Sequence, residues 1–148
     1  MKVLLIYPPV TFIGRGKVGA HIPMGLMYIA SYLKTRGHEI KFIDALAQGC
    51  NTCVKIKGGK TRIGLSENKL KKEIEQFAPD VVGISVMFTA FVNDAFDLAK
   101  LVKMVNRKIK VVVGGAHVSI DPKSMIKSGI DFAVTGEGEL VMESLLNI

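Results

Sequence analysis

The chain has 148 residues, of which 49% are hydrophobic and 22% charged, a balance typical of one globular domain with a sizeable apolar core. Its net charge of +7 permits an anionic partner, but its basic residues lack the interleaved aromatic side chains of single-strand binders, so we expect no nucleic acid. No apolar run reaches the roughly 18 residues of a membrane span and no signal peptide precedes the first prolines, which predicts a cytoplasmic protein without a membrane span.

Strand and helix patterns alternate along the chain. Runs rich in β-branched residues predict five strands, at 2–8, 39–45, 80–87, 109–115 and 130–136. Helical periodicity predicts helices at 24–37, 66–79 and 93–106, a shorter one from Asp121-Pro122 to Gly129, and a last one at 137–146. Near-continuous apolar strands separated by helices indicate a doubly wound α/β domain: a five-stranded parallel sheet with helices on both faces, Rossmann-like or flavodoxin-like, in strand order 2-1-3-4-5.

Two connections are unusually long. Residues 9–23 follow the first strand as a long loop, and loops of this length often serve as functional lids. The insert at 46–65 is open to three interpretations: a flap, a partner surface or a disordered segment. It contains Cys50 and Cys53, which form neither a disulfide framework nor a complete zinc site, and we interpret them as an incidental pair.

Small and polar residues follow the later strands, where ligands bind in such sheets. Ser85 and Thr89 follow the third strand, His117 and Ser119 the fourth, and residues 135–139 (TGEGE) the fifth. Gly114 and Gly115 close the fourth strand. They either let a ligand approach the main chain or make a tight turn that needs positive φ.

Three common ligand motifs are missing. The first strand leads into Tyr7-Pro8-Pro9 instead of the GxGxxG of dinucleotide-binding domains, and no phosphate-binding P-loop is present. The acidic cluster and phospho-accepting aspartate of response regulators are also absent, because prolines and Ser85-Val86-Met87 hold their places.

Five segments together carry a family resemblance: LLIYPP, PMGLMYIASYLKTRGHEIKFIDA, PDVVGISVMFTA, VVVGGAHVS and TGEGE. They resemble the amino-terminal cobalamin-binding domain of cobalamin-dependent radical S-adenosylmethionine enzymes, a group that includes anaerobic magnesium-protoporphyrin monomethyl ester cyclase and many methyltransferases. The resemblance covers nearly all of residues 1–148 except the insert. It implies cobalamin as cofactor and a radical S-adenosylmethionine domain, in cis or in trans, as partner.

The resemblance also implies a set of cofactor-binding residues. Ser85 would hydrogen-bond the dimethylbenzimidazole tail, Met87 would replace the leucine of better-known cobalamin domains, and Gly114-Gly115, after the intervening residues 88–113, would make room for the tail. The remaining members of the set are Pro8, Pro9, Pro23, Gly25, His117, Thr135, Gly136 and Glu137.

The histidines and glutamates allow competing interpretations. The family's Asp-x-His-x-x-Gly motif, whose histidine ligates cobalt, is absent: His21 precedes Gly25 by one residue too many and has no adjacent carboxylate, so we expect a loop histidine near the corrin and no metal ligand in the chain. His117 would contact the tail phosphate or fix its loop, unless it merely starts a helix. Glu137 and Glu139 are expected to complement a helix N-terminus.

Catalysis is not expected from this chain alone. It lacks the Cys-x-x-x-Cys-x-x-Cys motif that holds a [4Fe–4S] cluster, so neither that cluster nor S-adenosylmethionine should bind, and no catalytic residue is predicted. We expect a binding module, either stand-alone or a truncated piece of a longer enzyme, with the cofactor carrying the chemistry. The alternatives are a cofactor-free flavodoxin-like signalling or interaction domain whose basic surface docks an acidic partner, and a flavin- or nucleotide-binding module.

Overall fold

The computed structural model describes residues 1–14, 19, 21–127 and 129–147. Eight strands lie in this part of the chain: β1 (Lys2–Tyr7), β2 (Val10–Ile13), β3 (Glu39–Asp44), β4 (Cys53–Ile56), β5 (Lys60–Ile63), β6 (Val81–Ser85), β7 (Lys110–Gly114) and β8 (Phe132–Ala133). Six α-helices accompany them: α1 (Met24–Thr35), α2 (Ala45–Gln48), α3 (Glu67–Phe77), α4 (Val92–Val105), α5 (Ala116–Ile120) and α6 (Gly138–Leu146).

The main sheet is five-stranded and entirely parallel, in the order β3-β1-β6-β7-β8. Counted among these five strands alone, this is the predicted order 2-1-3-4-5, so the doubly wound fold is confirmed. The predicted fifth strand was too long, since only Phe132 and Ala133 pair with β7.

Alternation along the strands divides the core between the two faces. Leu4 and Ile6 of β1 contribute to the core cluster that contains the buried residues of α3, α4 and α5. Val3, Leu5 and Tyr7 belong to the second cluster, with the buried residues of α1 and α6. Successive strand residues point to opposite faces, so both faces of the sheet are covered by helices.

A second, three-stranded antiparallel sheet, in the order β2-β5-β4, shows that the 46–65 insert is not a disordered segment; a flap and a partner surface stay predictions. The insert is not an irregular loop: it forms α2 and then the β4–β5 hairpin, which turns at Gly58 and Gly59, both with positive φ. The 9–23 segment is also partly ordered, because Val10–Ile13 pair with β5. We call this three-stranded unit the inserted sheet.

Asp94 anchors the inserted sheet to the main domain. It lies in the first turn of α4, is 4% exposed, and accepts hydrogen bonds from the Thr11 main-chain N–H at 2.9 Å and the Thr11 hydroxyl at 2.6 Å. Close packing holds the other end, where a Cβ on Gly64 would lie 2.7 Å from Pro9 Cβ and 2.9 Å from the Ala45 carbonyl oxygen. The inserted sheet is therefore fixed beside the carboxyl end of β1.

The predicted helix from Asp121 to Gly129 was placed too late in the chain. The helix begins at Ala116, directly after Gly115, and Pro122–Met125 form only a 3-10 turn, capped by the Asp121 carboxylate. The glycine pair thus leads straight from strand into helix. No helix within the described ranges is long and apolar enough to cross a bilayer.

Candidate functional site

A cavity of about 330 Å³ lies between the main sheet and helices α1 and α6. Its floor comes from alternate residues of three neighbouring strands, among them Leu5, Gly83 and Val112. Gly83 leaves room for the Leu5 side chain, since a Cβ there would lie 2.7 Å from Leu5 Cδ2. Leu26 and Ile29 of α1 and Met142 of α6 form the opposite wall. The cavity is thus a mainly apolar slot within one face of the sheet.

Four residues line up across the carboxyl end of the sheet: Asp44, Tyr7, Ser85 and Gly114. Tyr7 pairs with Asp44, Ser85 pairs with Gly114, and the pairing of Ile6 with Ile84 puts Tyr7 next to Ser85. Residues in register on parallel strands point to the same face. Tyr7, Ser85 and Gly114 accordingly all line the cavity.

The two glycines of the pair have different neighbours. A Cβ on Gly115 would lie 2.8 Å from the Val86 carbonyl oxygen, and Gly115 has φ +114°, so its lack of a side chain is required by the protein itself. A Cβ on Gly114 would make only ordinary contact, 3.6 Å from the Val134 carbonyl oxygen. Gly114 therefore leaves space in the cavity, whereas Gly115 allows the tight turn.

Two hydroxyl-bearing residues line this apolar space. Both are buried as residues, Ser85 being 8% exposed and Tyr7 6% exposed. Burial, and secondarily the negative charge of Asp44, raises the pKa of Tyr7 above its usual value. The phenol is therefore protonated at neutral pH and available as a donor.

The cavity mouth is apolar with a few ionisable groups. Ile22, Met24, Met87 and Phe88 line it and are exposed to solvent. The ionisable residues at the cavity are Tyr7, His21, Glu137 and Glu139, and the described lining includes no lysine or arginine. The described lining is thus suited to a large, mainly apolar ligand.

His117 lies outside the cavity lining and connects two segments through side-chain hydrogen bonds. It is 6% exposed and does not line the cavity. The Ser124 hydroxyl donates to the Asp121 carbonyl, so it accepts from His117 Nε2–H at 3.0 Å, and His117 Nδ1 accepts from the Thr89 hydroxyl at 3.0 Å. His117 thereby ties the loop after β6 to the segment after β7.

The structure brings most predicted site residues together. The predicted residues that line the cavity are Pro23, Gly25, Ser85, Met87, Gly114, Gly115, Gly136 and Glu137. The other four, Pro8, Pro9, His117 and Thr135, lie outside its lining. Pro8 and Pro9 are buried, and Pro9 packs against Gly64 instead, while Thr135 is exposed.

Sequence reasoning missed Tyr7 and the floor residues Leu5, Gly83 and Met142. Tyr7 could have been found, because it ends a strand at the sheet edge where ligands bind. The potential metal ligands are dispersed: in the described part of the chain no three His, Cys, Asp or Glu side chains come together to hold a metal. Cys50 and Cys53 are free and exposed.

Comparison with known proteins connects this chain with a cofactor-binding family. The family model described as "B12 binding domain" matches residues 13–146. The chain is 34% identical over 142 residues to cytidylyl-2-hydroxyethylphosphonate methyltransferase of Streptomyces wedmorensis, covering 94% of this chain and 27% of that protein. It is 31% identical over 149 residues to the anaerobic magnesium-protoporphyrin IX monomethyl ester cyclase of Rubrivivax gelatinosus, covering 99% and 24%. The chain spans about a quarter of these relatives.

Solved structures share the fold at low sequence identity. A cobalamin-binding protein from Desulfitobacterium hafniense superposes with a TM-score of 0.65 at 15% identity, over 99% of this chain and 58% of that one. The monomethylamine corrinoid protein of Methanosarcina barkeri gives 0.64 at 14% identity, over 99% and 58%. A receiver domain of a Pseudomonas aeruginosa sensor histidine kinase gives 0.61 at 9% identity, over 99% and 93%. The fold alone thus spans several functions.

Proposed function

The chain belongs to the B12 binding domain family, and we propose that its cavity receives the nucleotide tail of cobalamin while the corrin ring lies over the apolar mouth. The observation that carries this proposal is the slot of about 330 Å³, with space at Gly114 and with Ser85 in its lining. A Cβ on Gly25 would likewise meet nothing within 4 Å. The cavity therefore fits a bulky tail without rearrangement of the main chain.

The residues have separate tasks in this proposal. Leu5, Leu26 and Val112 supply apolar contact for the tail, and Ser85 donates a hydrogen bond to it. Met87 and Phe88, both exposed at the mouth, exclude water from the corrin. His117 acts indirectly, by fixing the loop that carries them. When bound, cobalamin supplies cobalt-centred group or electron transfer, and the chain supplies binding and orientation.

The charge of the site favours this ligand over a flavin nucleotide or dinucleotide. Phosphate groups are commonly bound by helix N-termini, lysines and arginines. The ionisable side chains at this mouth include Glu137 and Glu139, and among the described lining residues no lysine or arginine opposes them. The tail of cobalamin carries one phosphodiester with a single negative charge. It therefore meets less repulsion there than the phosphate monoester of flavin mononucleotide, which carries about −1.5 to −2 at pH 7, or the pyrophosphate of a dinucleotide.

We further propose that the chain serves a larger enzyme with a radical S-adenosylmethionine domain, in cis or in trans. Support comes from the family resemblance and from relatives named as a methyltransferase and a cyclase, of which this chain spans only about a quarter. Two free, exposed cysteines fit the reducing cytoplasm that we propose as its compartment. The apolar mouth would then face the partner domain across the corrin.

An absorbance titration tests the cofactor assignment directly. The chain is titrated with hydroxocobalamin and, in parallel, with flavin mononucleotide, and bound ligand is separated by gel filtration. We expect saturable binding of one hydroxocobalamin per chain and no retention of flavin. Retention of flavin with no retained corrinoid would overturn the proposal in favour of a flavin module.

A further inference from the structure

Strand β4 of the inserted sheet is ordered although the domain covers neither of its faces. Every residue from 51 to 60 is exposed, and this range includes all of β4 and its turn into β5. Strands usually bury at least one face, because a hairpin alone is only marginally stable in water. The β4–β5 hairpin is therefore an ordered surface that is open to a partner.

The strand register separates the two faces of the inserted sheet. Val10 and Ile63 pair with each other and belong to the buried core, so their face packs on the main domain. Residues at alternate positions point to the opposite, outer face. That outer face exposes three apolar side chains to solvent: Ile13 at 80%, Val54 at 49% and Ile56 at 40%.

The surroundings of these apolar side chains are basic. Residues 45–66 contain three lysines and one arginine but no aspartate or glutamate. The arginine, Arg62, is paired with Glu67 at 3.3 Å, whereas the three lysines form no ion pair within the part of the chain that the structure describes. We call the exposed set the hairpin patch: Ile13, Val54, Lys55, Ile56, Lys57 and Lys60.

Lysines on an edge strand also have a simpler role, since they discourage pairing with the strands of other molecules. That role explains Lys55 but not the valine and isoleucines exposed beside it. β-Branched residues favour strands, yet threonine meets that preference without exposing an apolar surface. The hairpin patch is therefore suited to a partner that lies across its face and not to one that pairs along its edge.

The hairpin patch lies on the same side of the domain as the cavity mouth. Strand β2, which carries Ile13, contacts the 3-10 turn Thr89–Phe91, and this turn directly follows Met87 and Phe88 of the mouth. The partner domain is proposed to face that mouth across the corrin. The hairpin patch continues the surface that such a domain would cover.

We infer that the hairpin patch docks an acidic, amphipathic segment of the partner domain. Apolar side chains of that segment cover Ile13, Val54 and Ile56, while its carboxylates meet the three lysines. Complementary charge speeds and orients association, and the apolar contact slows dissociation. The identity of the partner rests on the proposed function, whereas the chemistry of the segment follows from the patch alone.

A designed peptide is the probe for this surface. It forms an amphipathic helix with leucine on one face and glutamate on the other, and its matched control carries lysine in place of glutamate. Each peptide is titrated into the isotope-labelled chain, and the main-chain amide shifts are followed by NMR. We expect the glutamate peptide, at up to about 1 mM, to shift the amides of residues 53–62 saturably, and less strongly as ionic strength rises. The lysine peptide should shift none of them.

Two substitutions separate the charged contact from the apolar one. Lys60→Glu reverses one charge, and Val54→Thr removes apolar surface but keeps the β-branched shape. Each should weaken binding of the glutamate peptide at least about 3-fold. Lys108→Glu is the control, because Lys108 is exposed in the turn before β7, at the opposite end of the main sheet. It makes the same change in net charge and should leave the affinity within about 2-fold.

Several results would overturn the inference. Equal shifts with both peptides, or an equal loss in Lys108→Glu, would mean that net charge alone attracts the peptide. Absence of any shift at residues 53–62 would mean that the patch binds no such segment. Sedimentation that shows self-association, abolished by Lys60→Glu, would assign the patch to a second copy of the chain. Binding to phosphatidylglycerol vesicles without binding to the glutamate peptide would assign it to a membrane surface.

Hydroxocobalamin titrations of the same proteins keep the two proposals apart. Lys60→Glu and Val54→Thr should bind hydroxocobalamin as the unmodified chain does, because neither residue lines the cavity. Failure of the unmodified chain to bind hydroxocobalamin would contradict the proposed function, and with it the identity of the partner domain. Peptide binding at the hairpin patch would be unaffected by that failure.

Discussion

The Val86 carbonyl oxygen lies 2.8 Å from the position that a Cβ on Gly115 would occupy. The same carbonyl accepts a hydrogen bond from the His117 main-chain N–H at 3.1 Å, and the Val86 N–H donates to the Gly114 carbonyl at 2.7 Å. The end of β7 is therefore locked against the loop after β6, with no room for a side chain at Gly115.

Gly115→Ala should destabilise the domain without involving any ligand. The substitution adds a Cβ against the Val86 main chain and forces a residue other than glycine to adopt φ +114°. We expect a loss of about 1–3 kcal/mol in the free energy of unfolding, measured by urea denaturation. Gly114→Ala is the control and should lose much less. Equal stability of the two variants would show that the turn at Gly115 tolerates a side chain.

Thr89→Val should loosen the mouth of the cavity. The variant keeps the shape of Thr89 but removes the hydroxyl that donates to His117 Nδ1. Hydrogen exchange of the main-chain amides from Phe88 to Val92 should accelerate, and hydroxocobalamin should bind more weakly, because Met87 and Phe88 line the mouth. Unaltered exchange in this segment would mean that His117 does not hold the loop through Thr89.

Asp94→Asn and Asp94→Ala should have opposite consequences at neutral pH. Burial is the main cause of the raised pKa of Asp94, partly offset by the Thr11 hydrogen bonds and the charge of Arg62. Folding raises the pKa of the Asp94 carboxyl group, so the protonated form of this group stabilises the folded state. Its contribution to the free energy of unfolding is present below the unfolded pKa and is lost as the pH rises through the folded pKa. At pH 7 the asparagine variant should therefore be at least as stable as the unmodified chain.

The alanine variant loses both contacts with Thr11 and should be destabilised by about 2–3 kcal/mol. Urea denaturation of the three proteins at pH 7 and pH 4 gives the comparison. A marked loss of stability in Asp94→Asn at pH 7 would show that the charge itself anchors the inserted sheet.

Asp131→Asn should remove a contribution to the free energy of unfolding that, unlike that of Asp94, is present at neutral pH and lost in acid. Burial alone would raise the pKa of Asp131, but hydrogen bonds from Lys103 and the Val111 N–H, with the charges of Lys103 and Lys110, lower it overall. Its contribution is therefore present above the unfolded pKa, near 3.8, and is lost as the pH falls through the folded pKa. The variant should be less stable at pH 7, and the difference should shrink in acid. A constant difference across this range would exclude the carboxylate charge as its cause.

Much of the architecture could be predicted because it depends on short-range patterns. Strands β1, β6 and β7 are nearly continuous buried apolar runs. The helix predicted from residue 66 is present, and there the Ser66 hydroxyl accepts from the Lys69 N–H. Gly37, the last residue of the predicted 24–37 helix, has the positive φ that is typical just beyond a helix C-terminus. Each of these features is decided by a few neighbouring residues.

The inserted sheet was missed because it depends on pairing between distant segments. Val10–Ile13 become a strand only through β5, about fifty residues later in the chain. The Lys57-Gly58-Gly59 turn was the available signal for the β4–β5 hairpin. Within the site, Ser85 and Gly114 were predicted from the family resemblance and its spacing, and the strand register places them side by side. Tyr7 was overlooked because its strand reads as continuous core.

The proposal that the cavity receives the cobalamin tail is tested most directly by measuring the hydroxocobalamin affinity of Gly114 variants with side chains of increasing size. Gly114→Ala adds a Cβ that makes only ordinary contact, whereas Gly114→Leu extends a side chain into the cavity. In absorbance titrations with hydroxocobalamin, we predict near-normal binding for Gly114→Ala and a loss of at least about 100-fold for Gly114→Leu, which corresponds to about 2.7 kcal/mol. Both variants should keep a cooperative melting transition. Undiminished hydroxocobalamin affinity in a folded Gly114→Leu protein would contradict the account, because the tail would then have to bind elsewhere.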